Sequence, residues 1–220
     1  MKFSAVIFDL DGTLVDTLAD IATATNAVLR KFQQPEHPME TYKTLVGDGV
    51  AVLFHRAWPA TKDQPSLLQA AITSFHEHYE QQWHNRSKPY AGIDSLLERL
   101  QSHRLPLAVL SNKPDPFTQK CIAHFFPQVH FRVVLGQKPD LPRKPDPAGV
   151  FHIAEILKVA VERIAYIGDT NTDMETAVSA GCCAIGVSWG FRSIAELKQS
   201  GAAQICQSPI ALGDFLVAPD

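Results

Sequence analysis

The sequence predicts an α/β protein: a parallel sheet covered by helices on both faces, interrupted after its first strand by an all-helical insertion. Three observations carry this expectation. Residues Ser4 to Asp9 contain the unbroken apolar run Ala5-Val6-Ile7-Phe8, the texture of a strand buried on both sides. From about Thr17 to Trp83 apolar residues recur at helical spacing, with Ile21, Ala24, Val28 and Leu29 on one face and no strand pattern. Beyond Pro89-Tyr90-Ala91-Gly92 strands and helices alternate with short connections, which implies strands running in one direction with helices packed over them.

Taken in order, the second half reads as helix Ile93–His103, strand Leu105–Leu110, helix Pro116–Phe126, strand Phe131–Leu135 and helix Ala148–Leu157. It continues as strand Ile164–Ile167, helix Thr172–Ala180, strand Cys183–Val187 and helix Ser193–Gln199. This divides the chain into a core of residues 1–16 and 89–220 and an inserted domain of residues 17–88, with hinges expected near Asp16 to Leu18 and Ser87 to Tyr90. At 220 residues and 45% hydrophobic content, one substantial core and a small second one can be buried. A net charge of -3 without a basic stripe argues against nucleic acid or an anionic membrane surface as the main partner. No apolar run approaches the roughly 20 residues of a membrane helix, and Asp9 interrupts the first apolar run too early for a signal peptide, so a cytoplasmic protein, monomer or homodimer, is expected. Cys121, Cys182, Cys183 and Cys206 lack C-x-x-C spacing and read as reduced, packed thiols.

Ligands of an open parallel sheet bind beyond the carboxyl ends of its strands, and each of these ends carries polar chemistry. The first strand runs into Asp9-Leu10-Asp11-Gly12-Thr13. The strand through Val109 and Leu110 runs into Ser111-Asn112-Lys113, and Tyr166-Ile167-Gly168 runs into Asp169-Thr170-Asn171-Thr172-Asp173. Between them, Arg143-Lys144-Pro145-Asp146-Pro147 sets a lysine among prolines just ahead of a helix. Asp9 and Asp11 would face opposite sides of a continuing strand, so the chain must turn away after Asp9, and Gly12 permits that turn.

These four segments, in this order and over essentially the whole chain, resemble the motifs of the haloacid dehalogenase-like superfamily of phosphohydrolases. The resemblance implies a Rossmann-like core with a small helical cap inserted after the first strand. It further implies Asp9 as the nucleophile that forms an aspartyl-phosphate, Asp11 as general acid and base, and Mg²⁺ held by Asp9, Asp169 and the backbone carbonyl of Asp11. Lys144 would offset negative charge at the reacting group, and Ser111 with the Asn112 backbone would donate hydrogen bonds to a phosphate oxygen. Thr13 would support this set. Asp173 would either be a further metal carboxylate or, the preferred reading, orient Asp169 and Lys144. The segment Val46-Gly47-Asp48-Gly49-Val50 resembles the cap loop of phosphoglycolate phosphatases, which makes Gly47, Asp48 and Gly49 candidates for contact with a small phosphorylated metabolite.

The cation requirement also follows from elementary electrostatics. A carboxylate brought to roughly 4 Å of a phosphate with about two negative charges faces about 8 kcal/mol of repulsion at an effective dielectric of about 20. Asp146 is either a helix cap or a site residue, and Asp16 reads as the start of the hinge. Lys43 and Arg56 are the cations near the cap loop that a substrate carboxylate would need, while each also fits a solvated helix. His76, Glu80 and His84 repeat along one helix face but lack a partner helix with further ligands, and are expected at the surface. Phosphomonoesterase activity on 2-phosphoglycolate is the leading expectation. A pyrophosphatase, sugar-phosphate phosphatase or phosphomutase of the same fold is the near alternative, and a non-catalytic phosphate-binding module the remote one, since Asp9, Asp11, Lys144 and Asp169 are all in place. A dehalogenase would need neither an acid at Asp11 nor a metal carboxylate at Asp169.

Overall fold

The computed structural model describes residues 2–218. The elements in chain order are β1 (Ala5–Phe8), β2 (Val15–Asp16), α1 (Leu18–Lys31), α2 (Tyr42–Leu45), α3 (Val50–Ala57), α4 (Pro65–Gln82), β3 (Lys88–Pro89), α5 (Ile93–Ser102) and β4 (Leu107–Pro114). They continue with α6 (Asp115–Phe125), β5 (Phe131–Gln137), α7 (Ala148–Leu157), β6 (Ile164–Gly168), α8 (Asn171–Ala180), β7 (Cys183–Val187), α9 (Ile194–Gln199), β8 (Gln204–Cys206) and α10 (Pro209–Val217). The chain divides into two compact units, Met1–Val15 with Pro89–Asp220, and Asp16–Lys88.

The larger unit holds a six-stranded sheet in the order β5-β4-β1-β6-β7-β8, every pair parallel. The predicted α/β class and parallel sheet are therefore present. β1 lies at the centre because all four of its residues are apolar and fully buried. From it the chain order proceeds outward through β4 and β5 on one side and through β6, β7 and β8 on the other. The crevice beyond the carboxyl ends of β1, β4 and β6 is the topological switch point, where an open α/β sheet binds its ligand. Ile7, Ala108, Leu110, Ile164, Tyr166, Met174 and Leu197 belong to the core that fixes these strand ends.

Three differences from the sequence expectation have physical causes. β4 does not stop at Leu110 but runs to Pro114, and its register against β5 slips between Leu110 (opposite Leu135) and Pro114 (opposite Gln137). The intervening residues Ser111, Asn112 and Lys113 form an irregularity in the ladder, and such bulges re-aim side chains at sheet edges. β8 and α10 were not visible as periodic segments: β8 is a three-residue edge strand, and α10 starts at Pro209 behind a Ser208 cap. The short β2 and β3, at the two crossings between the units, pair with each other as a separate two-stranded sheet.

The smaller unit is helical, as its periodicity predicts. α1 packs against α4, with Ala24, Val28 and Leu29 buried on the first and Ala71, Phe75 and Tyr79 on the second. Buried Asp20 accepts hydrogen bonds from the Arg86 and Ser87 backbone N–H groups and from Ser87 Oγ, so the start of α1 is tied to the end of the unit. Glu80 and His84 are exposed and His76 is half-buried, its pKa lowered by burial. Among the described residues no helix is long and apolar enough to cross a membrane. The four cysteines are free, and burial pushes Cys182 up to about 12 and Cys206 up to about 11, as inert packed thiols require.

Candidate active site

Asp9 follows β1 directly, and its backbone N–H still donates to Ile167 O of β6 at 2.9 Å. The chain then leaves the sheet: Leu14 and Val15 N–H groups both donate to Leu10 O at 3.0 Å, while Gly12 N–H donates to Val15 O. Gly12 sits at φ 89, and a Cβ there would overlap Asp169 Oδ2, so both the backbone conformation and the space exclude a side chain. The turn brings the Thr13 hydroxyl to Asp169, donating to Oδ1 at 2.9 Å.

Asp169 follows β6 and is fully buried. Its second oxygen accepts the Phe191 backbone N–H at 2.8 Å, from the segment after β7. A Cβ at Gly190 would also collide with Asp169, and the Trp189 indole donates to Thr13 O at 3.0 Å, so Trp189-Gly190-Phe191 closes over the carboxylate. Asp173, in the first turn of α8, forms a reciprocal cap with Thr170. Its Oδ2 accepts from Thr170 N–H and Oγ1, and its Oδ1 accepts from Lys144 Nζ at 2.6 Å.

Lys144 is therefore the hub. Its side chain is 3% exposed, with Nζ 2.6 Å from Asp173 and 2.9 Å from Asp9 Oδ1. The Asn112 side chain holds the Lys144 backbone through two hydrogen bonds, Nδ2–H to the carbonyl at 3.2 Å and Oδ1 from the N–H at 3.0 Å. Burial would lower the lysine pKa, but Asp173 and then Asp9 more than reverse this and hold it well above its ordinary value. Burial pushes Asp9 up to about 7, against the pull of Lys144 and with a further push from Asp173. Asp169 is raised well above the carboxylate range by burial and by Asp173 and Asp9, with Phe191 N–H and Thr13 only partly offsetting.

Three buried carboxylates facing one ammonium leave an uncompensated negative charge. Oxygens from Asp9, Asp169 and Asp173 all lie within 4.8 Å of one another, and buried Asp9 Oδ1 accepts no hydrogen bond of good angle. The donors are hard oxygens, and this excess charge is what a divalent cation would neutralise, so the cluster can hold a metal. Among the described residues it is the one such group of three.

The Asp11 carboxylate is not in that cluster. Both its oxygens are taken by Lys113 Nζ, at 3.0 and 3.2 Å. Ser111 is buried and its Oγ accepts the Lys113 N–H at 3.3 Å. Asp146 is exposed and caps α7 locally, accepting Ala148 N–H at 2.8 Å. Gly47, Asp48 and Gly49 belong to the Asp16–Lys88 unit: the glycines sit at φ 118 and 86, and Asp48 pairs with Arg56 at 2.6 Å. Arg56 also donates to Leu45 O, and Lys43 pairs with Glu40 at the surface, so in this unit both cations are already engaged.

The sequence places Lys113 at a strand end without showing its role, and it does not show the amide clamp of Asn112 or the Trp189–Phe191 segment. Lys113 carried a signal, as a second lysine at a strand end. The Phe191 contact carried none, because it is made by backbone.

The haloacid dehalogenase-like hydrolase family model matches residues 6–187. A phosphoglycolate phosphatase of Neisseria meningitidis is 30% identical over 203 residues, 91% of this chain and 86% of that protein. One of Thiobacillus denitrificans is 31% identical over 203 residues, covering 90% and 89%. Among solved structures, a Lactobacillus delbrueckii subsp. bulgaricus protein provisionally assigned as a phosphoglycolate phosphatase superposes with TM-score 0.87 at 30% identity over 100% of both chains. The family model spans the sheet through β7 and the carboxylates at its switch point, and the chain belongs to the haloacid dehalogenase-like hydrolase family.

Proposed function

We propose that this chain, a phosphatase of its family, hydrolyses 2-phosphoglycolate in the cytoplasm through an aspartyl-phosphate on Asp9. The single observation that supports this most is the buried Asp9–Asp169–Asp173 cluster at the sheet's switch point, served by one lysine. An oxygen of Asp9 attacks phosphorus, the bond to the glycolate oxygen breaks, and Asp11 gives that oxygen a proton. Asp11 then takes a proton from a water that attacks the same phosphorus, releasing inorganic phosphate and restoring Asp9. Mg²⁺, held by Asp9, Asp169 and the Asp11 backbone carbonyl, would supply the positive charge that offsets carboxylate–phosphate repulsion. Lys144 adds its charge on the Asp9 side, Ser111 Oγ and the Asn112 N–H donate to a phosphate oxygen, and Asp173 and Thr13 hold Lys144 and Asp169 in place. The substrate follows the names of the relatives, with Gly47, Asp48 and Gly49 as the recognition segment.

The test is phosphate release from 2-phosphoglycolate, sugar phosphates, nucleotides and pyrophosphate, each with Mg²⁺ and with excess chelator. The expected result is release that needs Mg²⁺ and favours 2-phosphoglycolate by at least about tenfold in kcat/KM. Chelator-insensitive release would remove the metal from this reading, and preference for another ester would remove the substrate.

A further inference from the structure

We propose that Lys113 is the positioning residue of the Asp11 carboxylate, keeping the acid/base group apart from the buried Asp9–Asp169–Asp173 cluster. The inference rests on the acid/base reading of Asp11. Four carboxylates, those of Asp9, Asp11, Asp169 and Asp173, lie at or next to the carboxyl ends of neighbouring strands, and the structure sorts them with two buried lysines. Lys144 takes Asp9 and Asp173. Lys113, its side chain 4% exposed, takes both oxygens of Asp11, whose side chain is 16% exposed.

The sorting is built into the backbone. Lys113 occupies the irregular stretch of β4, where Ser111 Oγ accepts its N–H and Thr118 Oγ1 donates to its carbonyl at 3.1 Å. These bonds fix the lysine backbone and burial confines its side chain, so the contact with the carboxylate costs little further order. Without it, Asp11 has two alternatives, both unproductive. It can turn outward, since a fourth negative charge beside an already negative cluster is repelled, or it can be drawn in as an extra ligand once a divalent cation neutralises that cluster. A single ammonium spread over both oxygens holds the side chain against either drift, and when Asp11 carries the proton it passes to the leaving group, one oxygen can keep the lysine while the other presents that proton.

The variants Lys113→Met, Lys113→Arg and Asp11→Asn, and the double variant Lys113→Met/Asp11→Asn, test this with two esters, an alkyl phosphate and p-nitrophenyl phosphate. The comparison uses kcat/KM, which reports the steps up to departure of the leaving group. An alkoxide needs a proton to leave, whereas nitrophenolate does not. For Lys113→Met, kcat/KM should fall about 10–100-fold with the alkyl ester and at least about tenfold less with the aryl ester. Lys113→Arg should recover part of the alkyl loss. The double variant should be no worse than Asp11→Asn alone, because the two residues act as one unit.

Equal losses on both esters, or additive losses in the double variant, would overturn the proposal and leave Lys113 a merely structural residue. Should Asp11→Asn itself show no leaving-group dependence while Lys113→Met does, the acid/base reading of Asp11 fails instead, and the proposal fails with it for a distinguishable reason. Circular dichroism and thermal unfolding of each variant separate folding losses from these patterns.

Discussion

Asp9→Asn is expected to lower phosphate release at least about 10³-fold while the protein remains folded, because the amide cannot serve as a nucleophile that is regenerated by hydrolysis. Stability should change in the opposite direction. Burial pushes the Asp9 carboxyl up to about 7 in the metal-free protein, against an ordinary value of 3.8. A carboxyl whose folded pKa lies above its unfolded one makes the native state hold the extra proton, so stability falls as pH rises from about 4 to about 7. The asparagine variant lacks that penalty. In chelator at pH 8 its melting temperature should therefore exceed that of the parent protein, and the two should converge toward pH 4. Mg²⁺ should reverse the order by stabilising the parent, which keeps the carboxylate. Thermal scans across pH with and without Mg²⁺ check this. A variant that is both inactive and less stable than the parent at pH 8 in chelator would mean that the Asp9 carboxylate is already well compensated by Lys144.

Lys144→Met should carry the largest combined effect. The side chain is almost fully buried and contacts Asp173 at 2.6 Å and Asp9 at 2.9 Å, so its loss leaves buried carboxylates without their counter-charge. Breaking a buried pair by removing one partner typically costs about 3–5 kcal/mol, far more than the pair contributes relative to an apolar substitute. The cost should be greatest at pH 8 in chelator. It should fade as pH falls, since Asp9 and Asp169, both already raised, take up protons that the unfolded chain does not. Mg²⁺ should recover part of the stability but not the activity, which is expected to drop at least about 10²-fold. Urea unfolding at pH 5 and pH 8 measures the first effect and steady-state phosphate release the second. Unfolding free energies that match the parent at both pH values would contradict the hub role of this lysine.

Much of this site was legible because its chemistry is written in side chains at strand ends. The apolar run of β1 stops at Asp9, and burial of Ala5 through Phe8 fixes where that stop falls in space. The same holds for Ile164–Gly168 before Asp169. The strand boundaries at β7 and the helix boundaries at α7 coincide with the periodicity, since both are long enough and apolar enough for the pattern to show. What escaped notice depends on backbone or on three-dimensional pairing. β4 continues through Ser111, Asn112 and Lys113 because β5 offers a partner there, which no local pattern reveals. The Asn112 amide turned to the Lys144 backbone, the Lys113–Asp11 pair and the Phe191 N–H on Asp169 are contacts across 32, 102 and 22 residues of sequence. The edge strand Gln204–Cys206 is too short to register a period. At Gly12 the turn that the sequence predicts is only part of the constraint, because there is also no room for a side chain beside Asp169.

The most direct test of the central claim is to catch the phosphoryl group on the chain. Asp11→Asn should still be phosphorylated by an ester with a good leaving group, yet hydrolyse the intermediate slowly. Acid quenching of that variant with p-nitrophenyl phosphate and Mg²⁺, followed by borohydride reduction and peptide mass spectrometry, should find Asp9 reduced at its side-chain carboxyl and every other aspartate unchanged. A variant that turns over the ester while all its aspartates, Asp9 included, stay unmodified at every quench time would contradict covalent catalysis by Asp9.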